Sequence, residues 1–163
     1  MTRTLGAPAN QRSAMSTLFD PTAYQGILQR LDTLQPTSPR QWGKMKPGQA
    51  MEHLARALDM GSGRTPTKQA LIGKLLSWMA RGKFLGPHAF PRDQPTAPSL
   101  VVREDPNFSA TRDRLKQALA HFVSTGEKGC DGNIHIFFGR CTGAEWGITQ
   151  WKHLDHHLRQ FGV

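Results

Sequence analysis

The last twenty-odd residues carry the clearest folding signal in this chain. Thr142-Gly143-Ala144-Glu145 forms a capping box, in which a hydroxyl and the carboxylate three residues later satisfy free amides in the first turn of a helix. A stripe of five residues follows at helical spacing: Gly147, Trp151, Leu154, Leu158 and Phe161. The pattern predicts a helix over about 142–161, ending at Gly162, with this stripe in the core.

Four earlier segments show the same periodicity of apolar residues. The helices are predicted at about 20–35, 47–61, 68–82 and 107–124. Asp20-Pro21 gives the first an N-cap and a proline at its first position, and Pro47 opens the second. Two intervening segments are predicted as loops: the proline-rich residues 83–106 and the glycine-containing residues 125–141. Neither strands nor repeats are predicted, so the expected fold is all-α.

The length and composition favour one domain after a short tail. Residues 1–17 are polar and are expected to be a disordered tail, and 18–163 are expected to form one helical domain of this 163-residue chain. Two cysteines, Cys130 and Cys141, fit a reducing compartment better than a disulfide framework. No signal peptide or membrane-spanning segment is predicted, so a cytoplasmic location is expected.

The net charge of +9 comes almost entirely from one central segment. Residues 40–92 carry ten basic and two acidic side chains. Such a segment suits an anionic substrate, a lipid surface or nucleic acid, and it is equally compatible with a solvated basic face. Aromatic residues do not alternate with the basic ones and no DNA-reading motif is present, so nucleic-acid binding is not expected.

Three of the seven histidines lie near the C-terminus. His153 and His157 are four residues apart and therefore share one side of the predicted last helix, at the edge of its core stripe. Two imidazoles one turn apart can clamp a metal ion such as zinc, nickel or iron. His156 falls nearer the polar side. Because this spacing also arises by chance, a third ligand is needed to make the case.

His53 is the natural third ligand. On the second predicted helix it lies at the edge of the apolar arc, aligned with Ala57 and Met60, whose side chains leave room beside it. Facing helices of a bundle commonly build metal sites in this way. A lone histidine at such a border is more often a hydrogen-bonded boundary residue.

The chain resembles the DinB-like (YfiT-like) superfamily of metalloenzymes, specifically an uncharacterised bacterial branch, over about residues 18–163. The resemblance rests on the following segments: Trp42-Gly43-Lys44-Met45, Met51-Glu52-His53-Leu54-Ala55, His135-Ile136-Phe137-Phe138-Gly139-Arg140 through Thr142, Glu145-Trp146-Gly147, and His153 to Gly162. Branch members often have Pro and Leu where this chain has Ile136 and Cys141. The C-terminal segment is the most specific part.

This resemblance implies an antiparallel four-helix bundle, here with an additional short helix and a long proline-rich loop. It implies a divalent metal (zinc, nickel or iron) held by His53, His153 and His157. Three protein ligands leave positions open for water or substrate, as in catalytic sites. Superfamily members of known activity include thiol-cofactor-dependent transferases and isomerases, which implies a thiol-dependent transferase or a hydrolase acting on a small molecule, with an anionic low-molecular-weight thiol as candidate partner. Members often dimerise, so a homodimer is expected on that ground.

Two further histidines lie close to this set in the sequence. His135, in a glycine-flanked loop, is a candidate acid/base group or neighbour of the metal ligands, although a structural anchor is the favoured interpretation. His156 is a candidate neighbour of the ligands or a solvated residue. The catalytic residues themselves are not identified from the sequence.

A competing hypothesis is a non-catalytic binding module. The helix predicted at 68–82 is basic and amphipathic, with Lys74 and Arg81 opposite its apolar face, and such a helix can lie on an anionic membrane or bind a protein partner. The simpler interpretation, which is favoured, is that Leu71, Leu75 and Trp78 pack into the bundle.

Overall fold

The computed structural model describes residues 15–163, and it is mostly helical. Its helices are α1 (Pro21–Thr33), α2 (Pro47–Gly61), α3 (Leu71–Leu85), a short 3-10 helix (Pro98–Leu100), α4 (Phe108–Cys130) and α5 (Gly143–Gln160). The predicted tail at 1–17 falls largely on residues 1–14, which lie outside the described residues. Leu18, the first residue of the predicted domain, is fully buried.

Helices α1 and α5 begin directly after the predicted N-cap residues, Asp20 and Thr142. The Asp20 carboxylate accepts a hydrogen bond from the Ala23 amide at 2.8 Å. At α5, the Glu145 amide donates to the Thr142 hydroxyl at 3.2 Å, and the Thr142 amide donates to the Glu145 carboxylate at 2.9 Å. The predicted capping box is therefore confirmed, and it fixes where α5 begins.

The core lies between α1, α2, α4 and α5. Helix α2 packs most extensively against α4, and α5 contacts α1, α2 and α4. Leu54 and Leu58 of α2 meet a core to which the other helices contribute Leu31, Leu115, Leu119, Phe122, Leu154 and Leu158. This arrangement agrees with the expected helical class, and it places the inner sides of α2 and α5 next to each other.

The region predicted as the loop 125–141 is more structured than expected. Helix α4 changes direction at Gly126, whose φ of 69° is left-handed, and continues to Cys130. An antiparallel hairpin of two short strands follows, with β1 (Ile134–His135) paired to β2 (Gly139–Arg140). The expectation of no strand was wrong, because strands of two residues are too short to show alternation.

Helix α3 departs most from expectation. It spans Leu71–Leu85 rather than 68–82, and among the described elements it packs mainly against α5 and β2. The prediction that Leu71, Leu75 and Trp78 enter the core was wrong, because all three are exposed. Within residues 15–163, no helix has the length and apolar character needed to cross a membrane.

Candidate metal centre

Three histidines from two helices meet at the buried interface between α2 and α5. His53 comes from α2, and His153 and His157 come from successive turns of α5. Their ring centroids are 4.8, 5.0 and 5.0 Å apart, so the rings form a nearly equilateral triangle. One ring nitrogen of each lies within 4.8 Å of the others, a spacing that could hold a metal ion. The structure thus brings together the three residues singled out from the sequence.

Hydrogen bonding orients His53 toward this cluster. Its Nδ1 lies 2.9 Å from the Leu100 carbonyl oxygen, which only accepts, so Nδ1 carries the proton. The Nε2 lone pair of the neutral ring then points at His153, whose Nε2 is 2.8 Å away. Metal-bound histidines are usually held through the second nitrogen in this way.

Gln160 gives His157 the same orientation. The Gln160 side-chain amide donates to the Trp42 carbonyl at 2.8 Å, which fixes the amide so that Oε1 faces His157 Nδ1, also at 2.8 Å. His157 therefore donates through Nδ1 and keeps the Nε2 lone pair free. Two imidazoles are prepared as metal ligands by oxygen acceptors on the far side of each ring.

Burial keeps the cluster uncharged near neutral pH. It lowers the pKa of His157 to about 3 and the pKa of His153 well below its ordinary value, and the other histidines add repulsion. Burial also lowers the pKa of His53. Because metal ions bind the neutral ring, protons compete weakly for these ligands.

The three histidine nitrogens could hold a divalent ion if the rings moved slightly relative to one another. Ligands about 2.1 Å from one tetrahedral ion are separated from each other by about 3.4 Å. The His53–His153 nitrogen pair, at 2.8 Å, is closer than that, and all three nitrogens lie within 4.8 Å. The nitrogen–nitrogen distance would have to change by about 0.6 Å for the His53–His153 pair and by up to about 1.4 Å for the other pairs, which rotation of the side chains can supply.

A cavity of about 600 Å³ opens onto the three rings. Its wall is largely aromatic and aliphatic, and it includes Met60, Phe84, Phe90, Leu100, Ile136 and Phe138. Besides the three candidate ligands, its polar lining residues include Lys44, Asp93, Gln94, Thr96, His135 and Thr149. An apolar wall that carries polar groups is typical of small-molecule sites of this size.

His135, on β1, also lines the cavity, in a fixed protonation state. Its Nδ1 accepts from the amides of Phe137 and Phe138 at 3.2 and 3.3 Å, so Nε2 carries the proton of the neutral ring. Burial, together with the nearby Arg81, lowers its pKa to about 3. The ring stacks on Phe138 with centroids 3.8 Å apart. His135 is thus a rigid N–H donor beside the three-histidine cluster.

Thr149 is a further polar residue in the cavity wall, and no pattern in the sequence pointed to it. It lines the cavity one turn before His153, and it is only 4 % exposed. Within the described part of the chain its hydroxyl has no hydrogen-bond partner. Buried hydroxyls are rarely left so, which marks this one as available to a ligand.

His156 stands beside the cluster rather than in it. Its ring is 5.1 Å from that of His157 and meets the Trp42 ring edge-on at 5.5 Å. Burial lowers its pKa. His88 is exposed.

The comparisons with known proteins place the chain in a family without assigning an activity. No curated protein and no solved structure matches it. Residues 13–162 match the model of DUF1569, described as a protein family of unknown function. Because the match covers nearly the whole chain, the protein belongs to the DUF1569 family.

Proposed function

We propose that the protein is a divalent-metal-dependent enzyme that uses His53, His153 and His157 as ligands. The observation that carries this proposal is the orientation of the rings. Two of them donate their Nδ1 protons to oxygen acceptors outside the cluster, which leaves their Nε2 lone pairs free, and one ring nitrogen of each of the three histidines lies within 4.8 Å of the others. A boundary histidine can make one such hydrogen bond on its own, but three neutral rings that meet in this way offer a metal ion a set of ligands. Zinc, nickel and iron(II) all suit imidazole ligands.

The site would bind small substrates with one polar end. A bound divalent ion would polarise a substrate oxygen or lower the pKa of a thiol or water. The His135 N–H and the Thr149 hydroxyl would then orient the polar end, and the aromatic wall would exclude water from the remainder. The anionic substrate rests on the DinB-like resemblance and on the net positive charge of residues 40–92, because the cavity wall itself carries Lys44 together with Asp93. Lys46 forms an ion pair with Asp105 at 2.5 Å.

Within this class, a thiol-dependent transferase is proposed ahead of a hydrolase. The DinB-like resemblance supports it, and so does the packing of α1, α2, α4 and α5, which we interpret as the implied four-helix bundle. Free, buried Cys130 and Cys141 fit a reducing compartment, so we propose the cytoplasm. The homodimer stays a prediction.

Metal content tests the ligand assignment. The protein is purified without a nickel column, and metal is counted by elemental analysis in the wild type, His157→Ala and the control His156→Ala. We expect about one ion per chain in the wild type and in His156→Ala, and essentially none in His157→Ala, with helicity retained in all three. Metal retained by His157→Ala but lost from His156→Ala would refute the assignment.

Cobalt substitution tests the thiol step separately. Glutathione added to the cobalt(II) form should produce a sulfur-to-metal charge-transfer absorption, whereas S-methylglutathione, which has no thiol, should not. Raised salt should weaken glutathione binding, because exposed charges are screened beyond about 8 Å at physiological ionic strength. If neither compound changes the absorption of the cobalt(II) form, the hydrolase would be favoured instead.

A further inference from the structure

The outward side of α3 carries four large apolar side chains in solvent. Leu71, Leu75 and Trp78 are 79, 77 and 76 % exposed, and Met79 is 49 % exposed. At about 100° per residue these four positions fall within one stripe, which we call the α3 outer face. Contiguous exposed apolar patches of this kind mark interaction surfaces rather than ordinary surface variation.

Positive charge borders this stripe on both sides. By the same helical angles Lys74 lies along one edge and Lys83 along the other, and both are exposed. Residues 60–92 contain six lysines and arginines and no aspartate or glutamate. Two acidic residues flank this segment: Asp59, which pairs with Arg64 and Arg114, and the exposed Asp93. The segment that carries the α3 outer face is nevertheless net basic.

The inner side of α3 is held in place, so the outward direction of the apolar stripe is fixed. Arg81 donates to the carbonyls of Phe138 and Arg140, both at 3.1 Å, and pairs with Glu145. At Gly73 an added Cβ would approach the Phe137 carbonyl oxygen at 2.8 Å, which shows how closely the helix lies against the hairpin. Turning the stripe inward would break these contacts.

We propose that the α3 outer face docks on an anionic lipid bilayer, with the helix lying parallel to the membrane at headgroup level. Leu71 and Leu75 would enter the acyl boundary. Trp78 would sit at the interface, which indole rings prefer. Lys74 and Lys83 would meet the anionic headgroups, each contributing about fivefold in affinity. An apolar stripe between lysines is the pattern of interfacial helices.

Charge argues against the other occupants. In a symmetric dimer through this face, Lys74 and Lys83 of one copy would approach the same lysines of the other copy. Residues 60–92 contain no acidic side chain that could neutralise them. Residues 1–14 carry Arg3 and Arg12 and no acidic residue, so they too would be repelled. An anionic surface complements both the stripe and its border.

Vesicle co-sedimentation of the full-length chain tests this docking. The vesicles contain phosphatidylcholine alone or phosphatidylcholine mixed with phosphatidylglycerol. We expect binding to the anionic vesicles only, weakened by salt. Two double variants should each weaken it about tenfold or more: Leu75→Ala with Trp78→Ala, and Lys74→Glu with Lys83→Glu. Arg103→Glu with Lys128→Glu, the same charge change on exposed residues outside α3, should alter it less than about threefold.

Fluorescence shows whether the helix itself enters the bilayer. Brominated lipid should quench the wild type more than Trp78→Phe, because Trp78 is the tryptophan that would sit at the membrane interface. Failure of the full-length chain to bind anionic vesicles would overturn the proposal. So would equal loss in the Arg103/Lys128 control, or sedimentation showing a dimer that Trp78→Ala disperses.

Discussion

Helices α3 and α5 are neighbours, yet they distribute polar and apolar side chains in opposite ways. Helix α5 buries polar groups: Gln150, Lys152, His157 and Gln160 are all less than 9 % exposed. Helix α3 leaves Leu71, Leu75 and Trp78 more than three-quarters exposed. Each pattern costs free energy relative to the ordinary arrangement, because buried polar groups lose water and exposed apolar groups order it.

The difference lies in whether the cost is offset within the chain. Several buried polar groups of α5 have partners, although the Thr149 hydroxyl and the Gln150 side-chain oxygen have none among the described residues. Gln150 donates to the Ala57 carbonyl at 3.0 Å, and Lys152 donates to the Phe84 carbonyl at 2.9 Å. Ala57 and Phe84 both line the cavity around His153 and His157. On α3 the proposed bilayer contact would supply the offset. One helix is therefore organised around an internal site, and the other around an external surface.

Substitution of one tryptophan on each helix should show the difference between α5 and α3 most clearly. Trp146 on α5 is 1 % exposed, whereas Trp78 on α3 is 76 % exposed. Trp146→Ala should lower the free energy of unfolding by about 3–5 kcal/mol, because it leaves a cavity in the core. Trp78→Ala should change it by less than about 0.5 kcal/mol. Urea denaturation of both variants measures the difference, and a large loss in Trp78→Ala would mean that the α3 outer face is covered in the folded chain.

Acid should destabilise the metal-free protein through its buried histidines. His135 and His157 have pKa values lowered to about 3 by burial, whereas an unfolded histidine titrates near 6.5. The unfolded chain therefore takes up protons first, and stability falls as pH drops from about 6.5 toward 3. Each of these histidines should cost about 2 kcal/mol by pH 5. His135→Phe should flatten the slope of stability against pH, measured by denaturation at several pH values with chelator present.

The control for that measurement is His88→Phe, in which phenylalanine replaces an exposed histidine. The comparison uses slopes rather than absolute stability, because His135 also accepts hydrogen bonds from the hairpin amides. Equal slopes in His135→Phe and the wild type would show that the His135 ring is solvated or charged in the folded state.

The sequence carried enough information to predict α5 and to align the three histidines. The capping box fixes where α5 begins, and the 3.6-residue period then places His153 and His157 on one side. His53 followed from its position at the edge of the α2 apolar arc. Both inferences use only local geometry, which a single helix determines by itself.

The orientation of α3 and the support of His53 could not be predicted in the same way. Periodicity defines an apolar stripe but not what it faces, and the deciding contact is Arg81 with Glu145, which are 64 residues apart in sequence. The support of His53 is the Leu100 carbonyl, a backbone group that any residue type would supply. Gln160 follows His157 by three residues, but its role depends on the Trp42 carbonyl, 118 residues away in sequence.

Removing the Gln160 amide should weaken metal binding without removing a ligand. Gln160→Ala leaves the His157 ring free to rotate and to exchange tautomers, so metal affinity should fall about 10–100-fold, as for other hydrogen-bond partners of metal-bound histidines. Competition with a chromophoric chelator measures the affinity. Gln41→Ala, at an exposed glutamine, is the control. Unchanged affinity in Gln160→Ala would show that Gln160 does not orient His157.

The smallest expected effect concerns Lys152, one of the side chains that join α3 to α5. Lys152 reaches from α5 to donate to the carbonyls of Phe84 and Gly86, at 2.9 and 2.6 Å, at the C-terminal end of α3. Burial lowers the pKa of Lys152. Lys152→Met keeps the length and apolar stem of the side chain and removes the donor. It should cost about 1 kcal/mol in the free energy of unfolding.

The effect of Lys152→Met should be local, because α3 contacts the rest of the described chain mainly through α5 and β2. Amide hydrogen exchange should accelerate in the last turn of α3 and stay unchanged in α2 and α4. Lys116→Met, which removes an exposed lysine paired with Asp32, is the control and should leave α3 exchange unaltered. If α3 exchanges at the same rate in both variants, Arg81 and the hairpin alone hold the helix, and the polar interior of α5 serves only the histidine site.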